Sequence, residues 1–258
     1  MNLITYDKSE RGKKCAELLR GELRINGEHK ELQTLFHSGD LYLLPIPSVR
    51  GGRIVGTEIS AEELFSDVPE GCVIIGYGLA EYEALLGARG CTGIDVSGDE
   101  DFLLENAILT AHAALGILLT TERRAPSELS VGVCGYGRIG RAIAAPLIYL
   151  GCRVKIFTGN EKTLLELCEC GVPAAKNCTG ADLSGLDVFI NTAPATIFSV
   201  IPQGLRVMEL ASGDNFPEGI AEKYPSLPSK YYPESAGRIY AEAALRALSR
   251  VATRNKNE

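Results

Sequence analysis

The sequence predicts an α/β protein made of two doubly wound parallel-sheet domains. Three observations carry this prediction. Short apolar runs alternate with helical patterns through the first part of the chain. A long helix with few charges follows. Then "VGVCGYGRIGRAIAAPLIYLGCRVKIFTGN", residues 131–160, reads as strand, glycine turn, helix and strand.

In the first domain, residues 3–6, 41–44, 72–76 and 93–96 are apolar runs of the kind that form buried parallel strands. Helical patterns separate them at 9–24, 60–65 and 80–86, with Ser60 and Glu63 spaced as a capping box. Residues 99–126 read as one helix closing at Pro126, apolar nearly all round and therefore expected to be buried between elements. The second domain follows as strand 131–134, a helix from Ile139, strand 153–157, helix 163–170, and strands 188–191 and 206–210. That is a sheet shorter than the full six strands. A closing helix over 235–252 puts Ile239, Ala243, Ala247 and Val251 on one packing face. The expected organisation is thus an N-terminal α/β domain over 1–105, a connecting helix over 106–126, a Rossmann domain over 127–234, and a C-terminal helix over 235–258 packing back at the cleft.

Charge is unevenly distributed. Residues 1–105 carry 10 Lys/Arg against 19 Asp/Glu, a balance of -9, and residues 106–258 carry 16 against 14, a balance of +2. Neither part has the basic run of a nucleic-acid binder, and the second part suits an anionic ligand better than the first. The eight cysteines contain no pair of CxxC motifs for zinc, so reduced thiols and no metal site are expected. The first residues lack a signal pattern, and the run 106–121 is too rich in Ala and Thr to suggest a membrane span. A soluble, cytoplasmic protein without a nucleic-acid or membrane partner is the expectation.

In the glycine turn, Gly135 permits the tight bend, Gly137 lets backbone approach a pyrophosphate, and Gly140 allows close helix–strand contact. Tyr136, Arg138 and Ile139 complete the loop, and free N–H groups at the helix start would face the anion. The second strand ends in Thr158, Gly159 and Asn160, where an acidic residue would hold an NAD ribose. With no carboxylate there, NADP is favoured over NAD, Lys162 and Arg138 being near enough in sequence to add positive charge. Two more loops belong at strand ends: "INTAPA", with Asn191, Thr192, Ala193 and Pro194 under the nicotinamide or its ribose, and "MELASG", with Leu210 and Ala211.

Several segments together resemble the dipicolinate synthase family, in the NADP-dependent component of that enzyme. These are "ENAILTAHAA" at 105–114, the GxGRxG turn, the "NTAPA" loop, "ELAS" at 209–212, "LPSKYYPESAGRIYAEAA" at 227–244, and the "LLPIPSVRGG" loop at 43–52. The resemblance implies a two-domain enzyme of spore-forming bacteria that uses NADP to oxidise dihydrodipicolinate to pyridine-2,6-dicarboxylate, with a flavoprotein as its second component. Departures from the family pattern are His112 for Glu, Ala113 for Gly, Glu209 for Asp and Ser235 for Thr.

Such a reaction needs a clamp for a small anionic dicarboxylate and a group to take a proton. Arg50 and Ser48 in the first-domain loop, Lys230, and the helix start at Ser235, Ala236 and Gly237 are the carboxylate-binding candidates. His112 is the candidate base, with Thr110 close by as a hydrogen-bonding partner of the substrate. A D-2-hydroxyacid dehydrogenase is an alternative, but it needs a histidine after the nucleotide strands, and His29, His37 and His112 all precede Gly135. A dinucleotide-sensing module without turnover is a second alternative. The apolar connecting and C-terminal helices offer a face for a homo-oligomer.

Overall fold

The computed structural model describes residues 2–25, 29–31, 39–176, 182–194, 200–213 and 215–254. His37, Cys178 and Ala195 lie outside them. The chain forms two compact units, Met1–Asn106 with Pro228–Glu258, and Ala107–Leu227.

The first unit opens with β1 (Leu3–Thr5), α1 (Glu10–Glu22), β2 (His29–Glu31) and β3 (Leu41–Leu43). A two-strand hairpin follows, β4 (Val49–Arg50) against β5 (Arg53–Ile54), then α2 (Ala61–Asp67), β6 (Val73–Gly76), α3 (Glu83–Ala88) and β7 (Thr92–Asp95). The five strands of the main sheet are parallel in the order β2-β1-β3-β6-β7, the flavodoxin-like arrangement. Leu3, Leu41, Leu43 and Ile75 are fully or almost fully buried, as strands covered on both faces require. Ser9 caps α1 by accepting the Gly12 N–H, and Ser60 caps α2 by accepting that of Glu63.

From the first unit α4 (Glu100–Thr121) runs into the second, followed by β8 (Ser130–Cys134), α5 (Arg138–Tyr149), β9 (Arg153–Phe157) and α6 (Glu161–Glu169). Then come β10 (Ala174–Ala175), β11 (Val188–Asn191), β12 (Arg206–Glu209) and β13 (Glu222–Lys223). All pairings are parallel and the order is β10-β9-β8-β11-β12-β13, the six-stranded Rossmann arrangement. The expected shorter sheet is therefore corrected. Its two edge strands have two residues each, too few to leave a periodic signal in the sequence.

α4 is shorter than the expected 99–126, ending at Thr121, and Pro126 opens a separate turn. The whole of α4 is long and apolar enough to cross a bilayer by length and composition alone, a test that a core helix also meets, and half of its most apolar stretch is packed away inside the protein. Ala111, Ala114 and Leu118 are buried with Val131, Ile143 and Ile190 in the core of the second unit, while His112, Gly116 and Leu119 are exposed. It is a core helix with an open face rather than one buried all round. Arg124 fastens the loop after it to the sheet by a 2.7 Å ion pair with Asp187, which holds that carboxyl below its ordinary range.

The chain closes with α7 (Leu227–Tyr231) and α8 (Pro233–Arg254). α8 belongs to the first unit and packs along α1. Tyr240 reaches from it into the sheet, donating its hydroxyl to the Leu44 carbonyl at 2.8 Å, and Arg246 makes a two-pronged ion pair with buried Asp99 at 2.7 and 3.0 Å.

Candidate functional site

The carboxyl edge of the second sheet is where an open α/β fold binds ligands, in the crevice where strand order reverses, here between β8 and β11. The glycine turn occupies that edge. Gly135 has φ +87°, and a Cβ on it would stand 2.6 Å from Thr192 Oγ1. A Cβ on Gly140 would stand 2.0 Å from the Gly135 carbonyl oxygen, so α5 approaches β8 at a distance only glycine permits. Around Gly137 a Cβ would meet nothing within 4 Å. It is the N-cap of α5, and as a glycine it has no side chain of its own to cap the helix start. The three glycines therefore differ: two are required by internal packing and one leaves open space at the start of α5.

The turn is tied to the end of β11. The Thr192 backbone N–H and its hydroxyl each donate to the Cys134 carbonyl at 2.8 Å. Asn191 is fully buried, its Oδ1 accepting from the Ala193 N–H at 3.2 Å and its Nδ2 donating to both carboxylate oxygens of Glu209 at 3.1 Å. Glu209, at the end of β12 and 3% exposed, also accepts from the Ala211 N–H at 2.8 Å and from Asn215 Nδ2 at 3.1 Å. The Leu210 N–H donates to the Asn191 carbonyl. Asn191, Thr192, Ala193, Leu210 and Ala211 are thus joined with Gly135 in one hydrogen-bonded edge, beside which Pro194 is exposed. Glu209 and Asn215 complete it, and neither is among the sequence candidates. The MELASG segment points to the first as a strand end; nothing in the sequence marks the second.

Around the turn, Tyr136 and Ile139 are half-buried against the core, and Arg141 stacks over the Tyr136 ring while donating to its carbonyl. Arg138 is exposed. At the end of β9, Thr158 is buried and its hydroxyl accepts the Asn160 N–H, while Asn160 Oδ1 caps α6 by accepting from Thr163. The Asn160 oxygen is therefore committed to the helix. Gly159 is open, with nothing within 4 Å of a Cβ placed on it. Lys162 lies on the solvent face of α6, 4.0 Å from Glu166, whereas Lys176 just after β10 pairs with Glu161.

On α4, Thr110 is buried and His112 is exposed between buried Ala111 and Ala113. His112 is therefore not a core histidine.

The remaining candidates belong to the first unit, where packing accounts for several. Ser48 is fully buried; it donates to the Pro45 carbonyl at 2.9 Å and accepts the Tyr77 N–H at 2.7 Å, fixing the loop that contains the cis Ile46–Pro47 bond. Its hydroxyl is thus engaged on both sides. Arg50 is exposed on the β4–β5 hairpin, and Lys230 is exposed on α7 with its ammonium over the Tyr231 ring. Ser235, Ala236 and Gly237 lie inside α8, which begins at Pro233. The Ala236 N–H already donates to Tyr232, and a Cβ on Gly237 would meet Lys14 Cβ at 2.6 Å and the Arg11 carbonyl at 2.8 Å. That glycine lets α8 rest on α1.

A cavity of about 460 Å³, lined by Ser130, Ile148, Cys152, Lys155, Pro173 and Leu186, opens at the amino-terminal edge of the second sheet. It is at the wrong end of the strands for the ligand geometry of this fold. Among the described residues no cluster of metal-ligating side chains occurs, and the described cysteines are free, five buried and two, Cys168 and Cys170, exposed.

These features define a two-unit α/β protein whose second unit has the Rossmann strand order and glycine turn. No family model and no curated protein matches the sequence. Solved structures do match. Dipicolinate synthase from Bacillus halodurans is 20% identical with a TM-score of 0.78, over 95% of this chain and 97% of that one. Dipicolinate synthase from Bacillus subtilis is 19% identical with a TM-score of 0.76, over 98% and 97%. A transhydrogenase from Sinorhizobium meliloti is 14% identical with a TM-score of 0.62, over 96% and 94%. At such identities the likeness is one of fold.

Proposed function

We propose that this chain is an NAD(P)-dependent oxidoreductase, and more specifically that it oxidises dihydrodipicolinate to dipicolinate with NADP. The observation that carries the reading is the glycine turn: open space at Gly137, the N-cap of α5, made possible by the close contacts at Gly135 and Gly140. The residues fit a dinucleotide. Backbone N–H groups from Gly137 onward would hold the pyrophosphate, Thr158 and the open Gly159 would flank the adenosine ribose, and Asn191 to Pro194 would support the nicotinamide end. The absence of a carboxylate at Thr158 favours NADP, and NAD is the alternative.

Bound NADP supplies the hydride acceptor, the products being dipicolinate, NADPH and a proton. Aromatisation of the ring favours that transfer, so the chain's own task is positioning and charge. Arg50 and Lys230, both cations of the first unit, are the proposed carboxylate ligands. Exposed His112 is the proposed acceptor of the ring proton. A cytoplasmic location, on the reduced thiols, a homo-oligomeric state, on the apolar helix faces, and a flavoprotein partner, on the resemblance of the sequence segments, belong to the same proposal.

The test mixes purified protein with NADP and dihydrodipicolinate freshly made by its synthase and follows NADPH absorbance. A steady rise supports the reading. Dinucleotide binding without turnover on this substrate would select the sensing module or another carboxylate substrate, and absence of dinucleotide binding would remove the oxidoreductase reading altogether.

A further inference from the structure

Glu209 is a buried carboxylate to which the reaction as proposed gives no part. It is 3% exposed, and its hydrogen-bond partners are neutral N–H donors: the Asn191 amide, the Asn215 amide and the Ala211 backbone. An acceptor-only carboxylate matches such a set; a carboxamide in its place would bring an NH2 group against donors. Among the described residues, no lysine or arginine forms an ion pair with it. A buried charge held by dipoles is expensive to keep, and a neutral side chain would tie the two strand ends together at lower cost.

Its place in the sheet suggests what the charge does. Glu209, Asn191 and Cys134 are register partners across β12, β11 and β8, in a row along the carboxyl edge that ends beside Gly135. With strands about 4.8 Å apart, the Glu209 backbone lies within roughly 10 Å of the glycine turn. The low-dielectric interior behind it weakens its field little over that span. On the reading of this edge as a dinucleotide site, the nicotinamide end is the part of the ligand whose charge changes: the ring is a cation when oxidised and neutral when reduced.

We infer that Glu209 sets the redox preference of the site, its charge favouring the oxidised, cationic dinucleotide, while its bonds to Asn191 and Asn215 position the β11 and β12 loops. It is a positioning and electrostatic residue that acts on the bound ligand without carrying the reacting atoms. The inference rests on the proposed dinucleotide site.

The experiment measures dissociation constants of NADP⁺ and NADPH, and of NAD⁺ and NADH, for the wild type, Glu209→Gln and Glu209→Asp, with thermal unfolding alongside. For the wild type the oxidised form is expected to bind at least as tightly as the reduced one. Glu209→Gln should weaken the oxidised form about tenfold relative to the reduced form, and Glu209→Asp should keep the wild-type ratio even if both affinities fall. A wild type that binds the reduced form tenfold more tightly overturns the inference without recourse to any variant, so failure of a variant to fold leaves it open to refutation. Equal losses for both forms in Glu209→Gln also overturn it and leave a purely structural tie. A wild type that binds neither dinucleotide refutes instead the site reading on which the inference stands.

Discussion

The two glycines that flank the start of α5 give a sharp test, because the structure assigns them opposite kinds of constraint. A methyl group on Gly140 would sit 2.0 Å from the Gly135 carbonyl oxygen and 2.9 Å from its carbon. Ordinary contact begins near 3.4 Å, so about 1.4 Å must be found between backbone atoms that have no rotamer to yield. Overpacking of this kind costs about 3 kcal/mol, and the better helix propensity of alanine returns about 1. Gly140→Ala should therefore destabilise the protein by about 2 kcal/mol and, by displacing Gly135, weaken dinucleotide binding as well. On a urea curve with a slope of about 2 kcal/mol per molar, the midpoint falls by about 1 M. Gly137 has an ordinary φ of -78° and nothing near its missing Cβ. Gly137→Ala should change stability by less than about 1 kcal/mol, the difference between glycine and alanine at an N-cap. Yet its methyl fills the space through which a pyrophosphate would approach, and affinity should fall at least tenfold. Urea denaturation paired with a fluorescence titration of NADPH reads both effects. If Gly140→Ala unfolds and binds like the wild type, or if Gly137→Ala loses stability and keeps its affinity, the division of roles between these glycines is wrong.

Three further outcomes follow from named contacts. Arg246 lowers the Asp99 carboxyl chiefly by hydrogen bonding, so the pair's contribution to stability is present at neutral pH and is lost on acidification through the lowered value; Arg246→Ala should cost about 2 kcal/mol at pH 7, discounted for the partial exposure of the arginine, and the gap between variant and wild type in urea unfolding should narrow below about pH 4. Gly237→Ala should destabilise by about 2 kcal/mol through the α1–α8 contact; if thermal unfolding is unchanged while substrate affinity drops, the segment serves the ligand and not the packing. His112→Ala removes an exposed side chain from a helix, so unfolding should shift by no more than about 0.5 kcal/mol while turnover falls on the order of 100-fold or more; full turnover would remove the histidine from the proposed proton path.

Whether a residue's role is legible in the sequence depends on whether that role is local. The apolar runs around Leu3, Leu41, Ile74, Val131 and Phe189 announce strands because burial on both faces leaves a continuous signature. The turn at Gly135 to Gly140 announces itself because backbone geometry demands glycine whatever surrounds it. β10 and β13 leave no such trace, since two residues held by one neighbouring strand carry no period. A serine beside prolines and a glycine near a helix start suit a ligand contact, which is how the sequence presents Ser48 and Gly237; their engagement with Tyr77 and with α1 is set by residues 29 and more than 200 positions away. Glu209 shows the converse. Its meeting with Asn191 depends on the register of β11 against β12, and only the folded sheet supplies that register. A sequence can show that a strand end is polar, but whether its charge is compensated is decided by the neighbours that the sheet brings to it. At Glu209 the hydrogen-bonding neighbours are neutral donors, and that is why the oxidised-to-reduced affinity ratio, more than overall activity, is the quantity on which this edge of the sheet should be judged.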